Sequence, residues 1–274
     1  MGDVVHGPSG LAVSARDFGL RGPRGWAFRG VGVDAEPGSL IAVEGPSGSG
    51  RTCLLLALTG RMRSTEGRAA VGGLELPRRM AAVRRISALA HVTGVTDLDP
   101  VLTAGEHLRE RALLQRRFGG PPPLPSPPGR GEGRRGLLRP RGERASERRR
   151  QVGTALTAAG LDLAALPKGA RTAVRDLERV EALRLSLALA LIGRPRLLGV
   201  DDVDLKLSSA ERDEVWTLLR SIAGTGTTVV AVCSEAPPDT VAVGTGATGH
   251  DDAEAAGHDE KEEAADALAG TGRA

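Results

Sequence analysis

Tyrosine is absent from this 274-residue chain, and aromatic side chains come to three Phe and two Trp. A surface that binds single-stranded nucleic acid stacks bases on repeated aromatic faces, so that class is excluded for want of material. Lysine is nearly missing too. Lys168, Lys206 and Lys261 are the only three, and the other 34 of the 37 basic residues are Arg. Against 34 Asp and Glu the formal charge is only +3, which gives no basis for wrapping a polyanion, and no nucleic-acid partner is expected. No apolar run approaches the roughly 20 residues needed to span a bilayer. The opening MGDVVHGPSG has neither the basic nor the apolar part of a secretion signal, so any membrane span is expected to come from another chain. The two cysteines, Cys53 and Cys233, lie in apolar runs without metal-ligand spacing; buried, reduced thiols are expected rather than a disulfide or a zinc site.

With 40% hydrophobic residues the chain can bury one sizeable core. Two stretches cannot contribute to it. Residues 119–150 are rich in Pro, Gly and Arg, with nine Arg between Arg130 and Arg150, and are expected to be a disordered, solvated insert rather than a tether to phosphates or anionic lipid. Residues 241–274 are expected to be a disordered acidic tail. That leaves one domain over residues 1–240, interrupted by the insert.

Within that domain strand and helix signals alternate. SLIAVEG is a short apolar run ending in glycine, and RTCLLLALTGRM follows with helix formers. RLLGVDD reads as a second buried strand, SSAERDEVWTLLRSIA as a helix with a Ser cap, and TTVVAVCSE as a third strand. LTAGEHLRERALLQRRF reads as an amphipathic helix beginning at Thr103, and TALTAAGLDLAAL as a shorter one after the insert. Such alternation predicts an α/β fold with a mostly parallel sheet, flanking helices and a helical subdomain.

Gly45, Pro46, Ser47, Gly48, Ser49, Gly50, Arg51 and Thr52 fall between the first strand and its helix. Glycines there let backbone N–H groups curl around phosphate oxygens at the positive end of a helix, as in a P-loop. The usual pattern has Lys where this chain has Arg51. A guanidinium grips phosphate oxygens in a planar fork, whereas an ammonium is a compact point charge.

Reading outward from this loop, the chain resembles the ATP-binding subunit of an ABC transporter, a P-loop NTPase. Four segments carry the likeness in the family's order: EPGSLIAVEGPSGSGRT, LDPVLTAGEHLRER, RLSLALALIGRPRLLGVDD and DEVWTLLRSIAGTGTTVVAV. The resemblance implies that residues Gly45 to Cys53 bind ATP, that Thr52 and Asp201 hold Mg2+, and that Asp202 polarises the attacking water where the family has a longer glutamate. It also implies that Trp26, or else Phe18, stacks on adenine, and that His91 replaces a glutamine linking magnesium to the membrane partner.

Other positions depart from the family. Its LSGGQ-like signature aligns with Leu177, Glu178, Arg179, Val180 and Glu181, where Glu178 adds a like charge and Val180 bulk at a tip that should face phosphate. Arg184, Ala188, Ala190 and Leu191 keep the following helix. Ser208 replaces a dimer-interface aspartate and Ser234 a histidine that would contact the γ-phosphate. The resemblance therefore implies ATP binding with slow or absent hydrolysis. The chain is expected to be cytoplasmic and peripheral at the inner face of the cell membrane. Its expected partners are a separate membrane-spanning transporter subunit and a second ATP-binding subunit, as homodimer or heterodimer. The alternative is a nucleotide-independent interaction platform that retains the fold.

Overall fold

The computed structural model describes residues 10–118 and 141–245. Two sheets face each other. The first is antiparallel, in the order β2-β1-β4-β5, from β1 (Val13–Gly22), β2 (Gly25–Ala35), β4 (Glu66–Val71) and β5 (Leu74–Leu76). The second is wholly parallel, in the order β6-β7-β8-β3-β9, from β3 (Leu40–Glu44), β6 (Ser87–Ala90), β7 (Leu197–Val200), β8 (Thr228–Val232) and β9 (Val241–Gly244). Both faces of the parallel sheet are covered, so its strands read as continuous apolar runs. On one side Ile41, Val43 and Val230 pack with Phe18, Phe28 and α1 (Arg51–Leu58), sealing the space between the sheets. On the other, Leu198, Val229 and Ala231 meet α5 (Arg179–Leu191) and α6 (Ser209–Gly224). The expected α/β class with a mostly parallel sheet is present.

Between β6 and β7 lie α3 (Ala104–Phe118), α4 (Arg141–Ala158) and α5, which form the helical part; the short α2 (Met80–Ile86) precedes β6. Thr103 caps α3 in the expected place: its Oγ1 accepts from the Glu106 N–H at 3.2 Å while the Glu106 carboxylate accepts from the Thr103 N–H at 2.8 Å. Ser208 and Glu211 form the same reciprocal cap at α6.

One sheet and three boundaries differ from the sequence reading. The antiparallel sheet is unforeseen, because β1 carries irregular register at Phe18 and Leu20 that breaks the period-two signal. The helix expected over TALTAAGLDLAAL ends at Ala158, and instead runs back into the Arg-rich segment to Arg141. Residues 141–150 are therefore helical rather than part of a structureless insert: Ala155 and Ala159 anchor this region in the core, and Arg150 and Gln151 both reach Glu147 across a turn. Residues 119–140 lie outside the described residues. The sheet also continues past 240, since Val241 and Val243 of β9 pair with Ile41 and Val43; the remaining tail lies outside the described residues.

Candidate functional site

All five parallel strands end on one side, and their carboxyl ends bring together His91 after β6, Asp201 after β7, Cys233 after β8, Gly45 after β3 and Thr245 after β9. Ligands of open parallel sheets sit outside such strand ends.

The loop from Gly45 to Gly50 joins β3 to α1. Gly50 holds φ +81° at the N-cap position, and a Cβ there would collide with the carbonyl of Ala27 in β2, so only glycine lets the loop lie against that strand. Leu54 N–H donates to Gly50 O at 2.9 Å, the first rung of the helix. The N–H groups of Gly50, Arg51, Thr52 and Cys53 precede that rung and have no carbonyl one turn earlier, which leaves the positive helix end for an anion. Leu54, Leu55, Ala57 and Leu58 bury the far face of α1 and fix its direction.

Thr52 Oγ1 donates to Asp201 Oδ2 at 2.9 Å. Asp201 is 3% exposed, and burial pushes its carboxyl above the usual range; the neighbouring Asp202 charge adds to this, while the Thr52 hydroxyl opposes it. A hydroxyl and a buried carboxylate beside a phosphate loop are the hard oxygen donors that Mg2+ prefers. Among the described residues no group of three or more His, Cys, Asp or Glu is placed to hold a metal by itself. The pair fits an ion whose other ligands are phosphate oxygens and water.

The side chain of Arg51 crosses to the end of β8, where Nη1 donates to the carbonyl of Cys233. The segment after Cys233 is also pinned by Asp204 Oδ2, which accepts from the Ser234 N–H at 2.7 Å, and by Glu44 Oε2, which accepts from the Ala236 N–H at 2.8 Å. Ser234 is thus exposed on a loop tied to the phosphate loop and to the segment after Asp202.

Asp202 and His91 both adopt left-handed backbone, at φ +45° and +55°. Ala90 and Val200 are register partners, so the two turns are neighbours. Asp202 N–H donates to Asp201 Oδ1 at 3.1 Å, and His91 N–H to Ser186 Oγ at 2.7 Å. Burial lowers the His91 pKa and the Arg179 charge lowers it further, against the carboxylates of Asp202 and Asp97. His91, Arg179 and Asp202 therefore share one electrostatic neighbourhood.

Cys53 is half-buried and Cys233 buried, both as free thiols. Burial raises the Cys53 pKa, helped by Asp201, and pushes that of Cys233 up to about 12.

Phe18 and Trp26 differ in burial. Phe18 is fully buried, 5.6 Å from Phe28 ring to ring, and is core. Trp26 is half-buried, next to Ala27 against the loop, with the guanidinium of Arg29 at 4.9 Å and that of Arg21 at 5.7 Å from its ring centroid.

The segment Leu177–Glu181 opens α5, with the Glu181 carboxylate accepting from the Glu178 N–H at 2.8 Å. Val180 turns into the core at 8% exposure, so the bulk expected at the helix tip is not presented there; Glu178 is exposed. Ser208 is engaged as the α6 cap.

Sequence reasoning missed the Cys233 carbonyl, Thr245 and Ser186. The first two are signalled by strand register, which places the residues after β8 and β9 alongside β3, and Ser186 by the packing of α5 against the end of β6; no local pattern reports either.

Residues 28–204 match the family described as ABC transporter. Among curated relatives, the Fe(3+) ions import ATP-binding protein FbpC of Streptomyces avermitilis is 33% identical over 204 residues, covering 74% of this chain and 49% of that protein. ABC transporter G family member 13 of Arabidopsis thaliana is 31% identical over 221 residues, 81% of this chain and 29% of that protein. The chain thus spans less than half the length of these two relatives. A dimeric structure of the ATP-binding cassette MJ0796 bound to ADP and Pi superposes with a TM-score of 0.58 at 21% identity, over 81% of this chain and 88% of that one. The cbiO1 protein of Clostridium perfringens, part of a cbiONQ transporter complex, gives 0.60 at 15% identity, over 81% and 78%. These structures share the fold, and with the family match they place this chain among the ATP-binding P-loop NTPases of ABC transporters.

Proposed function

We propose that this chain is the nucleotide-binding subunit of an ABC-type transporter, which binds ATP with Mg2+ and hydrolyses it slowly or not at all. The observation that carries the reading is the loop from Gly45 to Thr52 closed on Asp201 by the 2.9 Å Thr52 bond. Backbone N–H groups and Arg51 hold the phosphates; Thr52 and Asp201 would hold Mg2+, which neutralises phosphate charge and links it to the protein. Trp26 offers the face for adenine.

The slow-hydrolysis part is supported by three residues at positions that the family resemblance sets near the terminal phosphate. Asp202 is one methylene shorter than the family's glutamate, Ser234 offers a hydroxyl in place of an imidazole, and Glu178 brings negative charge to the tip of α5. Phosphoryl transfer depends on positioning and charge stabilisation, and losing several such groups costs orders of magnitude in rate.

Among the described residues no helix is long and apolar enough to cross a membrane. A groove of about 490 Å³ runs between Leu89, Leu98, Leu102 and Leu189, rimmed by Val95 and Leu114 at 52% and 42% exposure. The same groove is lined by Asp97, Asp99, Glu110 and Arg111, and a mixed apolar and charged lining of this kind supports a protein contact. This groove suits a helical segment of a separate membrane-spanning subunit, which would hold the chain at the inner face of the cell membrane. Pairing with a second ATP-binding subunit, identical or not, would complete each site from two chains.

Isothermal titration of the purified chain with ATP and Mg2+ tests this: saturable binding with slow turnover is expected. No binding overturns the nucleotide reading, and brisk turnover by the chain alone overturns the slow-hydrolysis part. The second reading, a nucleotide-independent platform, is favoured by one observation, the engagement of Arg51 with the Cys233 carbonyl. It requires that Arg51→Ala leave assembly with the membrane partner unchanged.

A further inference from the structure

The phosphate loop is fastened from the side by a residue outside every motif considered above. Thr245 directly follows β9, and the parallel register Glu44 with Gly244 sets it beside Gly45. Its N–H and its Oγ1 both donate to the carbonyl of Glu44, at 2.9 and 3.0 Å. A hydroxyl carries one proton, so Thr245 Oγ1 accepts in its 2.6 Å contact with Ser49, and Ser49 Oγ donates. Both residues are buried, Thr245 at 2% and Ser49 at 5% exposure. The joint closes over Gly45, where a Cβ would meet Thr245 Oγ1 at 2.5 Å and Ser49 Oγ at 2.7 Å. Ser49 N–H in turn donates to Pro46 O at 3.2 Å, so the hydroxyl pair holds the turn that presents the next N–H groups.

We propose that Thr245 is a positioning residue for nucleotide binding: its hydroxyl fixes Ser49, and through Ser49 the backbone that presents N–H groups to the phosphates. The proposal rests on the reading of residues 45–52 as a triphosphate-binding loop. Donors held in place before the ligand arrives bind it without the cost of ordering them, so the effect falls on affinity.

The test is calorimetric titration of the full chain with ATP and Mg2+, comparing wild type, Thr245→Val, Thr245→Ser, Ser49→Ala and the Thr245→Val/Ser49→Ala double variant. Thr245→Val and Ser49→Ala should each raise Kd roughly tenfold, the effect of one buried hydrogen bond with its stranded partner. Thr245→Ser keeps the hydroxyl and should bind within about twofold of wild type. The double variant should bind no worse than the weaker single, because both remove one interaction. Melting without nucleotide reports folding; if Thr245→Val does not melt cooperatively, Ser49→Ala, which leaves the Thr245 methyl in the core, decides. Wild-type affinity in Ser49→Ala, or additive losses in the double variant, overturns the proposal. Wild type that binds no nucleotide overturns the loop reading itself, and this proposal with it.

Discussion

The guanidinium of Arg51 donates a hydrogen bond to the backbone carbonyl of Cys233, linking the phosphate loop to the end of β8. An ammonium is a point charge, whereas a guanidinium has five donors in a fixed fork and can hold a carbonyl with one N–H while others face phosphate. Arg51 thus does more than substitute for the usual lysine. It ties the glycine-rich loop to the segment carrying Ser234.

Removing that side chain should weaken nucleotide binding. Arg51→Ala is expected to raise the Kd for ATP with Mg2+ by roughly ten- to a hundredfold, the range for charge-assisted hydrogen bonds. Arg51→Lys, which keeps the charge, should lose far less. Calorimetry on the two variants checks this, and equal losses in both would show that the fork matters more than the charge.

The slow-hydrolysis reading makes a prediction about restoration. Asp202→Glu returns the missing methylene and Ser234→His returns an imidazole, and groups that act as a unit are non-additive. Each alone should change single-turnover hydrolysis little, whereas the double variant should raise it at least about tenfold. A phosphate-release assay reads the outcome.

Gly50 is a packing requirement as much as a conformational one. Any Cβ there runs into the Ala27 carbonyl, and φ is +81°. Gly50→Ala should therefore cost about 2 kcal/mol or more in denaturant unfolding, beyond the cost of left-handed backbone alone.

His91 predicts a pH dependence. Burial and Arg179 lower its pKa from 6.5, so the native state resists protonation that the unfolded chain accepts. Its contribution to stability is complete above the unfolded value and is lost as pH falls through 6.5 towards the lowered folded value. His91→Gln should flatten the melting temperature over that window, measured by thermal unfolding between about pH 5 and 8.

Much of the site was legible where the signal is local. The glycines and Arg51–Thr52 named the phosphate loop, the apolar run ahead of Asp201 named a buried strand, and Thr103 and Ser208 named two helix starts. The β1–β2 hairpin was not legible, because its bulged register scrambles alternation, and neither was the reach of α4, because a helix needs only one anchored face and tolerates a run of Arg on the others. Val180 was misplaced for a related reason: alignment gave its position in the segment but not the rotation of α5 that turns it inward.

The sequence by itself determined the loop, the central strands beside it and the capped helix starts, since capping, left-handed turns and apolar runs act over a few residues. Only the tertiary structure decided what fastens the loop. Thr52 meets Asp201 across 149 residues, Arg51 meets Cys233 across 182 and Ser49 meets Thr245 across 196. Those contacts follow from strand order in the parallel sheet, in which β8 and β9 come late in the chain yet flank β3, and packing of the whole sheet sets that order.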